Sequence, residues 1–463
     1  MKKLQMLYIA AFFTVCLIPL VGMAVTEQES SSENRTLAEF PQFRSEEGIN
    51  VQWLNEAGDY FQDHFAFRNE LVTANALLNS KILGTSTATG VIQGTDGWLY
   101  YKDSLQDYLG EELLKDRSLY NIAHILSMMQ EYLTDKGVQF VFTVAPNKNS
   151  LYDANMPYYD SYKVSDDKNL INLQKYLQEE NVSYVDLYET FAKEDEVLYH
   201  KRDSHWNNKG AAMASDILMA ALEKEHEPYT DETYTVKTDF TGDLDEMLYP
   251  LATEAEDEIY YDRQTTFAYV GEVGSNFDPR VTTVNPAKTG SLVMYRDSFG
   301  NALLPFMADA YGKAYFSRGI PYQLMDVDTM EADTVVVERA ERFLPEMAKS
   351  APIMTAPERT ITVKEDKNDR KAVKDLEIVT QGMNLKISGR ISDKYLDTES
   401  RIYVRVDGNK IYEAFPNDVI LDDGTTDCGG FTLYLPAESV TTESRMEILT
   451  GDEKQADLIY SKD

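Results

Sequence analysis

The chain has 463 residues, 43% hydrophobic and 26% charged, a composition able to bury a core across two or three domains. Its formal net charge of −34 excludes nucleic acid and anionic lipid as natural partners, because both would repel it. Cys16 and Cys428 are too few and too far apart for a disulfide framework.

Lys2 and Lys3 precede an uncharged stretch over 4–25, near the ~20 residues that span a bilayer. The positive flank stays inside, so the body that follows is expected outside the cytoplasm. Residues 1–25 are therefore expected to be a membrane anchor, with a cleaved signal peptide as the alternative. Residues 26–95 read as a polar linker and a helical lead-in, with one helix over 51–81, and a short strand follows at 97–101. Helices over 117–136, 169–180 and 209–223 then alternate with strands over 139–144, 182–187, 291–295, 314–317 and 333–338. This predicts an α/β domain over 96–346, a mainly parallel sheet with flanking helices. Acidic, tyrosine-rich residues 227–279 interrupt the alternation and read as an insertion shaping a groove. Ala351-Pro352 and Ala356-Pro357 mark a linker over 347–360. Period-two segments at 385–390, 401–406, 431–435 and 446–449 then predict a small all-β, sandwich-like domain over 361–463.

Ligands of such sheets collect at the C-terminal ends of the strands, where Asn147, Ser298 and Glu338 fall. Ser298 lies in Tyr295-Arg296-Asp297-Ser298-Phe299-Gly300, between an apolar strand and a helix-like stretch. Backbone N–H groups at such a turn can stabilise an oxyanion. A serine hydroxyl is a weak nucleophile until a neighbour takes its proton. Of five histidines, only His205 sits in a loop with a carboxylate, Asp203, two residues before it and a helix starting behind it. The pattern suggests acyl chemistry: Ser298 as nucleophile, His205 as general base and then acid, Asp203 as the orienting carboxylate. An Asp-Ser turn can also be an ordinary helix N-cap. His200, Asp203 and His205 could be read as metal ligands, but their spacing matches no common set, and no metal or cofactor is expected. Asn147, Lys148, Tyr152, Trp206 and Arg296 are expected to face the substrate. For Lys148 and Tyr152 the alternative is an ordinary loop, and for Arg296 a surface ion pair. Glu338, Arg339 and Arg342 read first as an internal ion-pair group.

Six short motifs stand in order: Glu33-Asn34-Arg35, Asp63-x-Phe65-x-x-Arg68, Gly97-Trp98-Leu99-Tyr100, Pro146-Asn147-Lys148, Asp203-Ser204-His205-Trp206 and Arg296-Asp297-Ser298-Phe299. Together they resemble the SGNH hydrolase-like domain of the alginate O-acetylation proteins, and most closely its DHHW-type Gram-positive relatives, over 34–345. The resemblance implies a triad of Ser298, His205 and Asp203, with Asp-x-His ahead of the serine. It matches Lys148 and Tyr152 to a Pro-x-Lys-x-x-x-Tyr element, and Ser204 stands where the DHHW name implies a second histidine. The implied function is an extracytoplasmic polysaccharide O-acetyltransferase with an acetyl-serine intermediate. Its implied donor is an integral-membrane O-acyltransferase partner, and position alone implies glycan binding by 361–463. A carbohydrate acetylesterase using the same triad, or a non-catalytic glycan-binding or scaffold protein, remains as the alternative.

Overall fold

The structure is a computed structural model that describes residues 2–23, 38–45, 48–83, 86, 88, 90–438, 440–441 and 444–462. Glu33-Asn34-Arg35 and the linker over 26–34 lie outside the described residues. The apolar N-terminal stretch forms helix α1 (Lys2–Gly22). No helix among the described residues is long and apolar enough to cross a membrane.

The helix expected over 51–81 is two, α2 (Trp53–His64) and α3 (Arg68–Leu83). Local periodicity runs through the break, which the backbone at 65–67 makes. Phe65 is extended, Phe67 takes a left-handed φ of 63°, and the Arg68 guanidinium donates to the Gln62 carbonyl at 3.1 Å. Such a donor satisfies a carbonyl left open where the helix stops. Gly22 of α1 is packed so closely on Ala66 that a Cβ there would lie 2.4 Å from the Ala66 Cβ.

The α/β domain is built on seven strands: β1 (Gln139–Ala145), β2 (Tyr184–Val185), β3 (Ala268–Tyr269), β4 (Arg280–Val284), β5 (Ser291–Tyr295), β6 (Lys313–Ser317) and β7 (Thr334–Ala340). Their order is β2-β1-β7-β5-β6-β4-β3. The five strands from β2 to β6 are parallel, while β4 and β3 close one edge antiparallel. Strands buried on both faces read as continuous apolar runs, as β5 and β7 do. Alternate residues feed two cores. Val293, Tyr295, Val335 and Val337 face α4 (Asp116–Asp135) and α5 (Asn169–Glu179). Leu292, Met294 and Val336 face α6 (Asn208–Ala221) and α7 (Gly300–Ala310).

The insertion over 227–279 folds into an antiparallel ribbon, Tyr234–Phe240 with Glu256–Tyr261, whose connection carries a short helix, Asp243–Leu248. That helix starts beside the Asp203–His205 loop, since the Asp245 N–H donates to the Arg202 carbonyl at 3.1 Å.

The C-terminal domain contains β8 (Glu358–Arg359), β9 (Thr362–Asp366), β10 (Val373–Gln381), β11 (Asn384–Ile391), β12 (Arg401–Val406), β13 (Lys410–Ile420), β14 (Thr426–Pro436), β15 (Met446–Gly451) and β16 (Gln455–Lys462). In place of two separate sheets, they form one nine-stranded sheet that curls on itself. The long strand β13 does this: its first half pairs with β12 and its second with β14. Residues from both halves, such as Ile387, Leu433, Val404 and Ile448, meet in one core.

Candidate active site

Ser298 follows β5 on a turn fixed mainly by its neighbours. The Asp297 carboxylate accepts the Phe299 N–H at 3.0 Å and the Ala340 N–H at 2.6 Å, tying the turn to the end of β7. The Asp297 N–H donates to Glu338 at 3.1 Å. Glu338 is fully buried, and burial followed by the Asp297 charge pushes its carboxyl well above the usual range. Gly300 opens α7, where a Cβ would lie 2.5 Å from Arg296 Cδ, so only glycine admits this approach. Ser298 stays partly exposed between buried neighbours.

His205 arrives from the loop before α6. Its Nε2 accepts from Ser298 Oγ at 2.8 Å, and its Nδ1 donates to Asp203 Oδ1 at 2.7 Å. The same carboxylate takes the His205 N–H at 2.8 Å and, through Oδ2, the Asp243 N–H at 2.8 Å. Burial alone would raise Asp203. The His205 ring, with these two backbone donors, instead holds it well below the usual carboxylate range. For His205 burial opposes the charged form, but Asp203 and then Asp243 outweigh it and raise the imidazole above its ordinary value of 6.5. The donor atoms of Asp203, His205 and Asp243 lie within 4.8 Å of one another, a spacing seen in cation sites. Here those atoms are taken up by protein hydrogen bonds.

Of the five side chains expected to face the substrate, four turn inward and hydrogen-bond to the protein itself. Arg296 is buried beneath the turn and donates to the carbonyls of Asn276, Asp278 and Asp297 and to Asn301. Trp206 packs edge-on against Phe299, its ring N–H on the Phe299 carbonyl at 3.1 Å, which locks the histidine loop to the serine turn. The Tyr152 hydroxyl accepts the Leu198 N–H at 2.9 Å, and its ring packs against Trp98 and Tyr199. Lys148 is buried beside the Trp98 and Tyr100 rings and donates to the carbonyls of His200, Lys201 and Asp203. Burial pushes its ammonium down to about 8, while three carbonyl acceptors favour the charged form. Lys148 thus braces the loop that carries the imidazole. Lys148→Met is expected to leave those carbonyls without their donor and to lower stability by about 2–3 kcal/mol. Urea melts of the two proteins measure this.

Asn147 differs. It is buried at the end of β1, its N–H donates to Glu341 at 2.7 Å, and neither polar atom of its side-chain amide has a partner among the described residues.

Sequence reasoning misreads one neighbour of the site and misses another. Arg342 is not in an ion pair among the described residues. Its guanidinium lies 5.3 Å from the centre of the Phe299 ring and 5.4 Å from that of Tyr101. Asp243 comes from the insertion, where one more acid among many carries no signal.

Residues 91–274 match the family model described as the SGNH hydrolase-like domain, acetyltransferase AlgX, so the resemblance read from the motifs is borne out over that span. The match includes Asp203 and His205 and ends before Ser298. A probable alginate O-acetylase AlgJ from Pseudomonas syringae pv. tomato is 25% identical over 256 residues, 53% of this chain and 61% of that protein. The chain therefore spans about three-fifths of that relative's length. Among solved structures, Bacillus cereus PatB1 aligns at a TM-score of 0.43 and 16% identity, over 55% of this chain and 96% of that one. A DHHW family protein from Eubacterium siraeum aligns at 0.42 and 18%, over 55% and 91%.

Proposed function

We propose, for a chain whose residues 91–274 match the SGNH hydrolase-like acetyltransferase family, an extracytoplasmic enzyme that moves acetyl groups onto a polysaccharide through Ser298, His205 and Asp203. The observation that carries this reading is the continuous line of hydrogen bonds, 2.8 Å from Ser298 to His205 and 2.7 Å from His205 to Asp203. His205 takes the hydroxyl proton as Ser298 Oγ attacks the acetyl carbonyl. The carbonyl oxygen becomes an oxyanion, for which backbone N–H groups where α7 begins are the donors, with the Asn147 amide, without a partner among the described residues, as a further candidate. Collapse of this adduct expels the donor's oxygen, which receives the proton from His205 and leaves acetyl-Ser298. A sugar hydroxyl then gives its proton to His205 and attacks the acetyl group, and Ser298 Oγ leaves with that proton returned from His205. Asp203 orients the ring and stays ionised throughout.

Lys2, Lys3 and the uncharged run behind them argue for a body outside the cytoplasm, with residues 1–25 as a membrane anchor or a signal peptide. An integral-membrane O-acyltransferase supplies the acetyl group, and the β domain over 361–463 binds glycan.

The test is intact-mass and peptide mass spectrometry of the purified protein with an activated acetyl ester and oligosaccharide acceptors. Acetyl on Ser298 that passes to sugar, and is absent from Ser298→Ala, supports the transferase. Loss of the adduct only to water makes the protein an esterase, and no adduct makes it a binding protein.

A further inference from the structure

Ser204 and Asp243 form a second layer behind His205. Ser204 Oγ donates to Asp243 Oδ2 at 2.6 Å and lies 3.2 Å from His205 Nδ1. A hydroxyl that donates to a carboxylate keeps its lone pairs for another donor, so Ser204 can accept a share of the Nδ1 proton already directed at Asp203. Asp243 Oδ2 itself is 3.6 Å from Nδ1. Asp243 also grips the loop: Oδ1 accepts the Ser204 N–H at 2.7 Å, and its own N–H donates to Asp203 at 2.8 Å. The approach leaves no room to spare, because a Cβ at Gly242 would lie 2.3 Å from the Arg202 carbonyl oxygen.

We infer that Asp243, acting through Ser204, is a positioning residue that holds His205 in line with Ser298 and supports its imidazolium as a second carboxylate beside Asp203. The inference rests on the proposed triad and adds a carboxylate to it from the insertion. Three hydrogen-bond donors converge on the Asp243 carboxylate, from the Ser204 and Leu244 N–H groups and the Ser204 hydroxyl, an arrangement that suits the ionised form. The charged groups facing the pair are Lys148, from the turn after β1, Glu246, from the same short helix, and Arg342, from beyond β7. Burial and then the Asp203 charge raise the Asp243 carboxyl and Glu246 adds to this, while the His205 ring, the Ser204 donors and Lys148 favour its ionised form; Arg342 disfavours the imidazolium that the two aspartates support. At His205 burial and Arg342 oppose the imidazolium and the two carboxylates, Asp203 before Asp243, outweigh them, so removing Asp243 weakens the favourable side.

The test uses the full chain and two readouts. NMR of isotope-labelled histidine follows the His205 ring through its titration. Labelling of Ser298 by a sulfonyl fluoride, followed across pH, reports activation of the nucleophile without any acceptor. In Asp243→Asn the amide oxygen can still accept from Ser204, but the charge is gone. Its His205 midpoint and the acidic limb of its labelling profile are expected to fall by about one pH unit, with a lower plateau rate. Asp243→Glu is expected to restore the wild-type limb. Ser204→Ala keeps both carboxylates and is expected to lower the plateau while moving the limb less.

Midpoint and limb unchanged in Asp243→Asn would overturn the inference and leave Asp243 a loop cap. If Asp243→Asn does not fold, the Ser204→Ala plateau decides, and a wild-type plateau there overturns it equally. Failure of the proposed function looks different: wild-type Ser298 would resist labelling, while the histidine titration would still register or fail to register Asp243.

Discussion

His205→Ala is expected to slow acetylation of Ser298 by about 10⁴-fold while leaving the fold intact. The ring is the only base within reach of the hydroxyl among the described residues, and without it Oγ must lose its proton to water. Burial by itself would not let the ring act late in the pH range. The Asp203 charge, then Asp243, raises the imidazole above 6.5, so the neutral base appears only as pH rises through that higher value. Activity therefore climbs on an acidic limb above 6.5. Asp203→Asn lowers the limb, because the imidazolium loses its main partner, and also lowers the plateau, because the ring loses its orientation. Pre-steady-state labelling of the three proteins between about pH 5 and 9 checks both signs.

The second large effect is expected away from the site, where α4 meets β13. His124 is buried with Nδ1 2.8 Å from Glu180 and Nε2 3.0 Å from Glu413. A ring with carboxylates on both nitrogens must donate from both, so it is an imidazolium. Burial opposes that charge, and Glu180 with Glu413 overcomes it and raises His124. Glu413, fully buried, is held down to about 2 against burial by His124 and then by Arg359 and Arg401. Glu413→Ala removes the shared anion and leaves His124 and Arg359 facing each other without it. The expected cost is about 3–5 kcal/mol, read from denaturant melts. The pH window follows from the two directions. Stability from His124 is full below its unfolded value of 6.5 and is lost as pH rises through the folded one. Stability from Glu413 is full above 4.5 and is lost as pH falls toward about 2. The advantage of wild type over His124→Ala is therefore expected to peak between 4.5 and 6.5 and to shrink as pH rises through the raised folded value of His124.

The strand-turn-helix around Ser298 was legible because both of its signals are local. A run such as Ser291-Leu292-Val293-Met294-Tyr295 is apolar at every position, as a strand covered on both faces must be. Asp203 and His205 were legible as a pair because two residues of separation within one loop already bring a carboxylate to an imidazole. The inward turn of Lys148, Trp206 and Arg296 was not legible. A long side chain in a loop has many rotamers, and which one it takes depends on carbonyls supplied by other segments. For Lys148 those carbonyls lie more than 50 positions away, at His200, Lys201 and Asp203.

The order of apolar and polar residues along this chain was enough to determine an α/β domain followed by a β domain, and to place Ser298 at a strand's end. Periodicity and turn chemistry act between near neighbours, and those neighbours are written in the sequence. Only the tertiary structure decided that Asp243 lies behind the imidazole and that Arg342 lies over Phe299 without an ion-pair partner among the described residues. It also decided that β13 bends one sheet into a curl and that His124 is buried between two carboxylates. Each of these depends on where a distant segment comes to rest, and desolvation with charge pairing then acts on whatever the fold has brought together.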